Sequence, residues 1–377
     1  MIDQKRLLDT FWQLVSYDAE SFHEGRIKEY LKRALTELGL SVEEDDAASA
    51  LRERGAEAGN LLARLPGTRA GEPLIFCAHM DTVSPGNGKK AIMQPDGRIT
   101  SDGATVLGAD DAAGLSAILE ALAVIRERAL PHPEIEILFP AAEEPYCRGT
   151  SVFDFSKVKA KTAYVLDLTG PIGTAAVRAP SILSLEITVS GRAAHAGFAP
   201  EEGINALTAA ARALAALPTG HVAEDTTVNF GVIRGGTGKN IVPASVTLLG
   251  EIRSLRHGAA LAEAEKVRAV FRREAEAVGA AAEVDVIEEI RAYAVGEDEY
   301  PVRRLSAAME RLGLGAPTLV TTFGGSDNNN FAANGIRGVV LACAMFDVHT
   351  VHEYTTVSDL SRSAELVTEL MTMEDVP

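Results

Sequence analysis

Five short stretches of this sequence set imidazoles and carboxylates directly behind apolar runs, the arrangement by which a chain gathers metal ligands at one edge of a sheet. The first, Phe76-Cys77-Ala78-His79-Met80-Asp81-Thr82-Val83, ends an apolar run in His-x-Asp. Residues two apart on an extended backbone point the same way. His79 can therefore hold a metal while Asp81 braces the imidazole and sets its tautomer. The second is Val106-Leu107-Gly108-Ala109-Asp110-Asp111-Ala112-Ala113-Gly114, two aspartates opening a helix between glycines. A helix N-terminus favours negative charge, so one of them could simply be a cap. The third, Pro140-Ala141-Ala142-Glu143-Glu144-Pro145, pairs two carboxylates that can diverge in role: one binds metal, the other takes a proton from water. Asp167 ends the run Tyr164-Val165-Leu166, and Phe346-Asp347-Val348-His349-Thr350-Val351-His352-Glu353-Tyr354 follows the last apolar strand.

Each stretch alone has an ordinary explanation as a cap, a strand-end histidine or a solvated loop. Together they bring several carboxylates and at least two imidazoles to one place, where the carboxylates would repel unless cations neutralised them. Mixed imidazole and carboxylate ligation suits zinc, with cobalt or manganese as substitutes. Two metals sharing a bridging carboxylate would clamp and activate a hydrolytic water. Nucleophile chemistry has no comparable support: G-x-S-x-G is absent, and so are G-x-x-x-x-G-K-[ST] and G-x-G-x-x-G.

The elements that must carry these groups are legible from periodicity. Helices are expected between Gln4 and Leu40, from Ala112 to about Arg128 and from Val302 to Leu312. Between them, strands are expected at 61–64, 74–78, 134–141, 163–168, 318–322 and 339–344, with a strand and loop over 42–60. From about Ser181 the texture changes to alternating strands (183–190, 226–233, 246–253, 282–288) and two helices (203–217, 259–278). The order strand, helix, strand, strand, helix, strand is that of a two-layer α+β unit. The fold class is therefore α/β: a discontinuous catalytic domain (1–180 and 292–377) with a mixed, mostly parallel sheet flanked by helices, and an inserted α+β, ferredoxin-like lid at 181–291.

At 377 residues, two domains are the natural expectation. A formal charge of -17 argues against nucleic acid or anionic membranes as partners. No stretch approaches the roughly 20 apolar residues of a membrane span, and the charged start does not read as a signal peptide. Three unpaired cysteines suit a reducing compartment, so the cytoplasm is expected.

These motifs, in this order and over nearly the whole chain, resemble the di-zinc exopeptidases and amidohydrolases that include peptidase T, glutamate carboxypeptidase, aminoacylase and succinyl-diaminopimelate desuccinylase. Leu107-Gly108-Ala109-Asp110-Asp111 is most similar to the peptidase T branch. The resemblance implies that His79 and Asp167 bind one metal, oriented through Asp81, and that Glu144 and His349 bind the other. It also implies that Asp110 bridges both, with a cis peptide to Asp111, and that Glu143 is the general base. His352 competes with His349 for the last ligand position. The family's lid dimerises, which implies a homodimer here. Gly191-Arg192-Ala193-Ala194-His195-Ala196-Gly197 matches the segment whose histidine steadies the oxyanion in a neighbouring site. Asn240, in the glycine-rich run before Pro243, and Arg253, in Gly250-Glu251-Ile252-Arg253-Ser254, match substrate-binding positions.

The implied activity is hydrolysis of short peptides in the manner of a tripeptide aminopeptidase. Action on N-acyl amino acids, carboxypeptidase action, or a peptide-binding protein without turnover are the alternatives. Two departures stand out: Ala112 replaces the family's usual lysine, and Pro145-Tyr146-Cys147-Arg148-Gly149 replaces a glycine-rich or acidic continuation. Gly324-Gly325-Ser326-Asp327-Asn328 resembles a segment the family keeps near substrate.

Overall fold

Runs of apolar residues that do not alternate, such as Leu74–Cys77 and Ile135–Phe139, need cover on both faces and therefore lie inside a parallel sheet. In the computed structural model, which describes residues 2–376, they form its middle. The strand order is Ser41–Glu44, Leu61–Leu65, Ile135–Phe139, Leu74–Cys77, Thr162–Leu168, Arg337–Ala342, Thr174–Ala179, Tyr293–Ala294, with Thr318–Thr321 also paired to Thr174–Ala179. The four central strands are parallel to one another and the pairings directly beside them are antiparallel, while Thr318–Thr321 runs parallel to Thr174–Ala179. Cys77 is level with both Leu138 and Val165, and Val165 with Val340, so the parallel strands end together. Whatever follows them in sequence must emerge along one edge, where ligands bind in open α/β sheets.

The longest helix beside this sheet, Ala109–Arg128, is buried at every position from Ala109 to Ile125. A helix apolar all round belongs inside a protein, and here Gln4–Val15 and Val357–Thr372 pack against it. Its buried Glu120 is not left bare: Arg6 donates to it at 2.7 Å and the Asp3 amide at 2.8 Å. Glu136, buried in the middle of its strand, is likewise satisfied by Arg64 and by the amides of Lys159 and Ala160. Among the described residues no helix is long and apolar enough to cross a membrane.

The chain divides into two compact units, one containing the sheet just described and the other comprising Ala179–Tyr293 with Thr322–Gly325. In the second, an antiparallel sheet runs in the order Gly220–Ala223, Thr226–Gly235, Ser245–Ser254, Ser181–Ser190, Ala281–Ile290. Alternation along Ser181–Ser190 sends Leu183, Leu185, Ile187 and Val189 inward. There they meet Ala209, Ala213, Val267 and Phe271 from the helices Ala206–Ala215 and His257–Glu276.

Several elements depart from the periodicity-based expectations. Residues 42–60 hold a short helix, Ala47–Ala50, as well as a strand. A small separate sheet joins Ile92–Met93, Arg98–Thr100 and Tyr354–Thr356. Its strands are too short to show a period, and Ile92 and Met93 are exposed. Thr174–Ala179 is a strand built largely of small residues with weak β preference. The two-residue strand Tyr293–Ala294 was not among the expected elements either.

Candidate metal centre

The common strand edge decides which side chains meet. His79 and Asp81 follow Leu74–Cys77, Glu143 and Glu144 follow Ile135–Phe139, and Asp167 lies at the end of Thr162–Leu168. His79 Nε2 lies 3.0 Å from Asp110 Oδ1 and 3.9 Å from Asp167. His349 Nε2 reaches the other oxygen of Asp110 at 3.1 Å and Glu144 Oε2 at 3.1 Å. Asp110 thus takes one imidazole on each oxygen, an arrangement able to serve two cations. Ligand atoms of His79, Asp110 and Glu144 lie within 4.8 Å of one another, and so do those of His79, Glu143 and Asp167. His352 is exposed, with its amide bonded to Thr350. The imidazole that faces the cluster is therefore that of His349.

The electrostatics are those of a site built for positive charge. Burial pushes the Glu143 carboxyl well above its ordinary range, with Asp327 and Glu144 adding repulsion. Burial does the same to Asp167, reinforced by Glu143, and also raises Glu144, reinforced by Asp110. Burial also works against ionised Asp110, but the hydrogen bonds from His349 and His79 outweigh it and hold its carboxyl low. Glu144 Oε1 is buried without a hydrogen-bond partner. A buried, unpaired carboxylate oxygen amid like charges is costly, and a divalent cation would satisfy it. The residues present therefore fit metal ions.

A second layer holds the donors in place. Asp81 accepts from the amides of Glu143 (2.9 Å) and Glu144 (3.2 Å), and from the Ser21 hydroxyl (2.7 Å). His79 Nδ1 lies 2.9 Å from the Asp81 main-chain carbonyl and 3.4 Å from its carboxylate. One residue therefore braces the imidazole and pins the Glu-Glu turn. The Asp110–Asp111 peptide is cis, and the chain there leaves helical geometry before the helix proper begins. Asp111 turns away from Asp110 to accept from the amides of His79 and Gly114. Buried Glu353 accepts from the amides of Gly108 (2.7 Å) and Asp110 (2.8 Å), fixing the approach to the aspartate pair.

A model of the peptidase dimerisation domain matches residues 178–279, and one of peptidase family M28 matches residues 60–227. The Bacillus subtilis protein YqjE is 38% identical over 376 residues, covering 98% of this chain and 99% of its own. The solved structure of the aminopeptidase PepT from Bacillus cereus superposes with a TM-score of 0.90 at 38% identity, covering 98% of each chain. A tripeptidase from Staphylococcus aureus gives 0.93 at 34% identity, covering 99% of this chain and 98% of that one. The chain belongs to the peptidase T-like metallopeptidases.

As a peptidase T-like metallopeptidase it carries supports that its sequence motifs do not reveal. Glu24 is buried and accepts from the amides of Phe22 (2.9 Å) and Ala142 (2.8 Å), bracing the Glu-Glu turn from its other side. Burial and the nearby Asp81 push its carboxyl up to about 7. Ser21 and Glu24 sit just ahead of a helix, where nothing in the local sequence distinguishes them from surface residues. Only a missing side-chain cap bond at Glu24 marks it, and that is visible only in the structure.

The three substrate-binding candidates lie in the second unit. His195 forms an isolated bridge with Ile241, and its Nδ1 accepts from the amides of Gly197 (3.1 Å) and Phe198 (3.2 Å). That assigns a ring proton to Nε2, which is left as a donor. Asn240 is exposed, and its carbonyl accepts from the Ala196 amide. Arg253 spends its fork on Glu251, at 2.8 and 3.1 Å, and on the Phe323 carbonyl.

Proposed function

We propose that this protein is a dinuclear zinc aminopeptidase acting on tripeptides and similarly short peptides. The observation that carries the reading is the buried cluster at the sheet edge, with its unpaired Glu144 Oε1, in a chain similar along its length to an aminopeptidase and a tripeptidase. His79, Asp110 and Asp167 would hold one metal, and Asp110, Glu144 and His349 the other. When bound, the metals would supply Lewis acidity at the scissile carbonyl and lower the pKa of the attacking water.

The chain's own residues do the rest. Glu143 accepts the proton of the attacking water and hands it to the departing amine, a task suited to a carboxyl raised by burial. Asp81 keeps Glu143 and Glu144 aimed by holding their amides. His195, as an Nε2–H donor, is suited to steadying an oxyanion in the site of a second copy. Asn240 and Arg253 would grip the substrate's backbone and carboxylate, with Arg253 exchanging Glu251 for its ligand. We further infer a homodimer formed through the second unit. Three free, buried cysteines suit the reducing cytoplasm.

The test combines metal content with hydrolysis of free, N-blocked and C-blocked di- and tripeptides by wild type and Glu143→Ala. Two metals per chain, cleavage that requires a free amine, and a variant that keeps metal but loses turnover support the reading. Cleavage of N-acyl amino acids, or a demand only for a free carboxylate, would redirect it to the alternative specificities. A Glu143→Ala variant as fast as wild type would refute the mechanism.

A further inference from the structure

The loop after the glutamates is wound unusually tightly for a stretch with so little glycine. Ala142, Tyr146 and Cys147 all have left-handed backbone, with φ of 48°, 71° and 53°. Glycine reaches that region freely, whereas other residues pay about 1–2 kcal/mol. The turn closes through Cys147 N to the Glu143 carbonyl (2.5 Å) and Arg148 N to the Ala142 carbonyl (2.8 Å). A glycine at 147 would relieve strain, so the cysteine side chain must be read for what it adds. Its thiol is buried and lies 3.2 Å from Glu143 Oε1.

The far side of the loop is anchored as well. Asn330 Nδ2 donates to the Thr150 hydroxyl at 2.9 Å and approaches the Cys147 carbonyl at 3.5 Å, and Thr150 donates in turn to Asp327. The helix Asp327–Ala333 thus holds the loop in a geometry that sets the thiol against Glu143 and also within reach of the Asp327 carboxyl.

We propose that Cys147 is a positioning residue for the reaction: its thiol donates to Glu143 Oε1 and fixes the rotamer of the base. With Oε1 engaged, proton transfer falls to Oε2. A cysteine filling space would not require the left-handed backbone, and a small apolar residue would fill the same volume without meeting a carboxylate. The inference rests on Glu143 being the base, and its test separates the two claims.

Wild type, Glu143→Ala, Cys147→Ala, Cys147→Gly and Cys147→Ser are compared for kcat, KM, metal content and melting temperature on a free tripeptide. Cys147→Ala and Cys147→Gly should lose about ten- to a hundredfold in kcat, because a misaligned base costs that much. KM should move by less than about twofold, and both variants should keep the wild-type metal complement. Cys147→Ser, which restores a donor, should return kcat to within about threefold of wild type. Cys147→Gly should melt no lower than wild type, since glycine accepts this backbone, so its slow turnover cannot be blamed on unfolding. Wild-type kcat in Cys147→Gly and Cys147→Ala, beside an inactive Glu143→Ala, would overturn the role of Cys147 and leave the base assignment standing. Loss of metal in these variants, or a loss confined to KM, would also overturn it. Full activity in Glu143→Ala would remove the premise itself.

Discussion

Replacing Glu353 with alanine should weaken both the fold and the metal centre, although Glu353 is not among the proposed ligands. Its two carboxylate oxygens accept from the amides of Gly108 at 2.7 Å and Asp110 at 2.8 Å, in a place with almost no solvent exposure. Alanine leaves both amides without an acceptor, at on the order of 1–3 kcal/mol each. Part of that is returned, because the carboxylate removed is itself disfavoured by burial. A net loss of about 2–4 kcal/mol in the metal-free protein follows. Freed from its anchor, Asp110 loses the orientation that meets His79 on one oxygen and His349 on the other. Zinc affinity should then fall about 10- to 100-fold, as for other outer-layer partners of a metal site. Urea unfolding of the metal-free protein and calorimetric zinc titration read the two effects separately. Stability within about 0.5 kcal/mol of wild type would mean the amides find other partners, and unchanged zinc affinity would refute the claim that Glu353 positions Asp110.

Burial, reinforced by Asp110, pushes the Glu353 carboxyl up to about 7 from an ordinary value of 4.5. The folded state therefore holds this proton where the unfolded chain has released it. The stability of the metal-free protein should fall as pH rises from about 4.5 to 7 and then level off, and Glu353→Gln should reduce that slope. Asp167→Asn removes a charge that burial and Glu143 disfavour. It should stabilise the metal-free protein by about 1 kcal/mol while weakening zinc binding; destabilisation in urea melts would contradict the view of a centre held together by metal. In the second unit, Phe271→Ala empties a fully buried position and should cost about 3–5 kcal/mol by thermal unfolding. Removing bound divalent metal with a chelator should lower the melting temperature of wild type, and restoring it should reverse the change, because binding to the native state alone stabilises it.

Most groups of the candidate metal centre were readable because His79, Asp81, Glu143, Glu144 and Asp167 sit where an apolar strand stops, at the edge of the sheet where ligands bind, whereas Asp110 opens a helix. Phe76 to Asp81 and Pro140 to Glu144 carry that signal within a few residues. The two-layer character of 181–291 was equally legible, since alternation along Ser181–Ser190 and the Ala-rich helix after it are local patterns. The small sheet of Ile92–Met93, Arg98–Thr100 and Tyr354–Thr356 was not. Strands of two or three residues carry no period, and one partner comes from the far end of the chain.

Which of His349 and His352 faces the acidic cluster also lay beyond the sequence. Both follow the same strand and are chemically alike, but His349, on left-handed backbone, reaches Asp110 and Glu144, while His352 is exposed. The supporting groups are the clearest case. Glu24 and Glu353 are ordinary polar residues until the fold buries them against amides from segments up to 245 residues away, and Ser21 until its hydroxyl meets the Asp81 carboxylate. A carboxylate's role depends on which unpaired donor it meets and how little water reaches it. Sequence alone determined which groups could bind metal; the meeting of distant strands and turns decided which are held, aimed and kept dry.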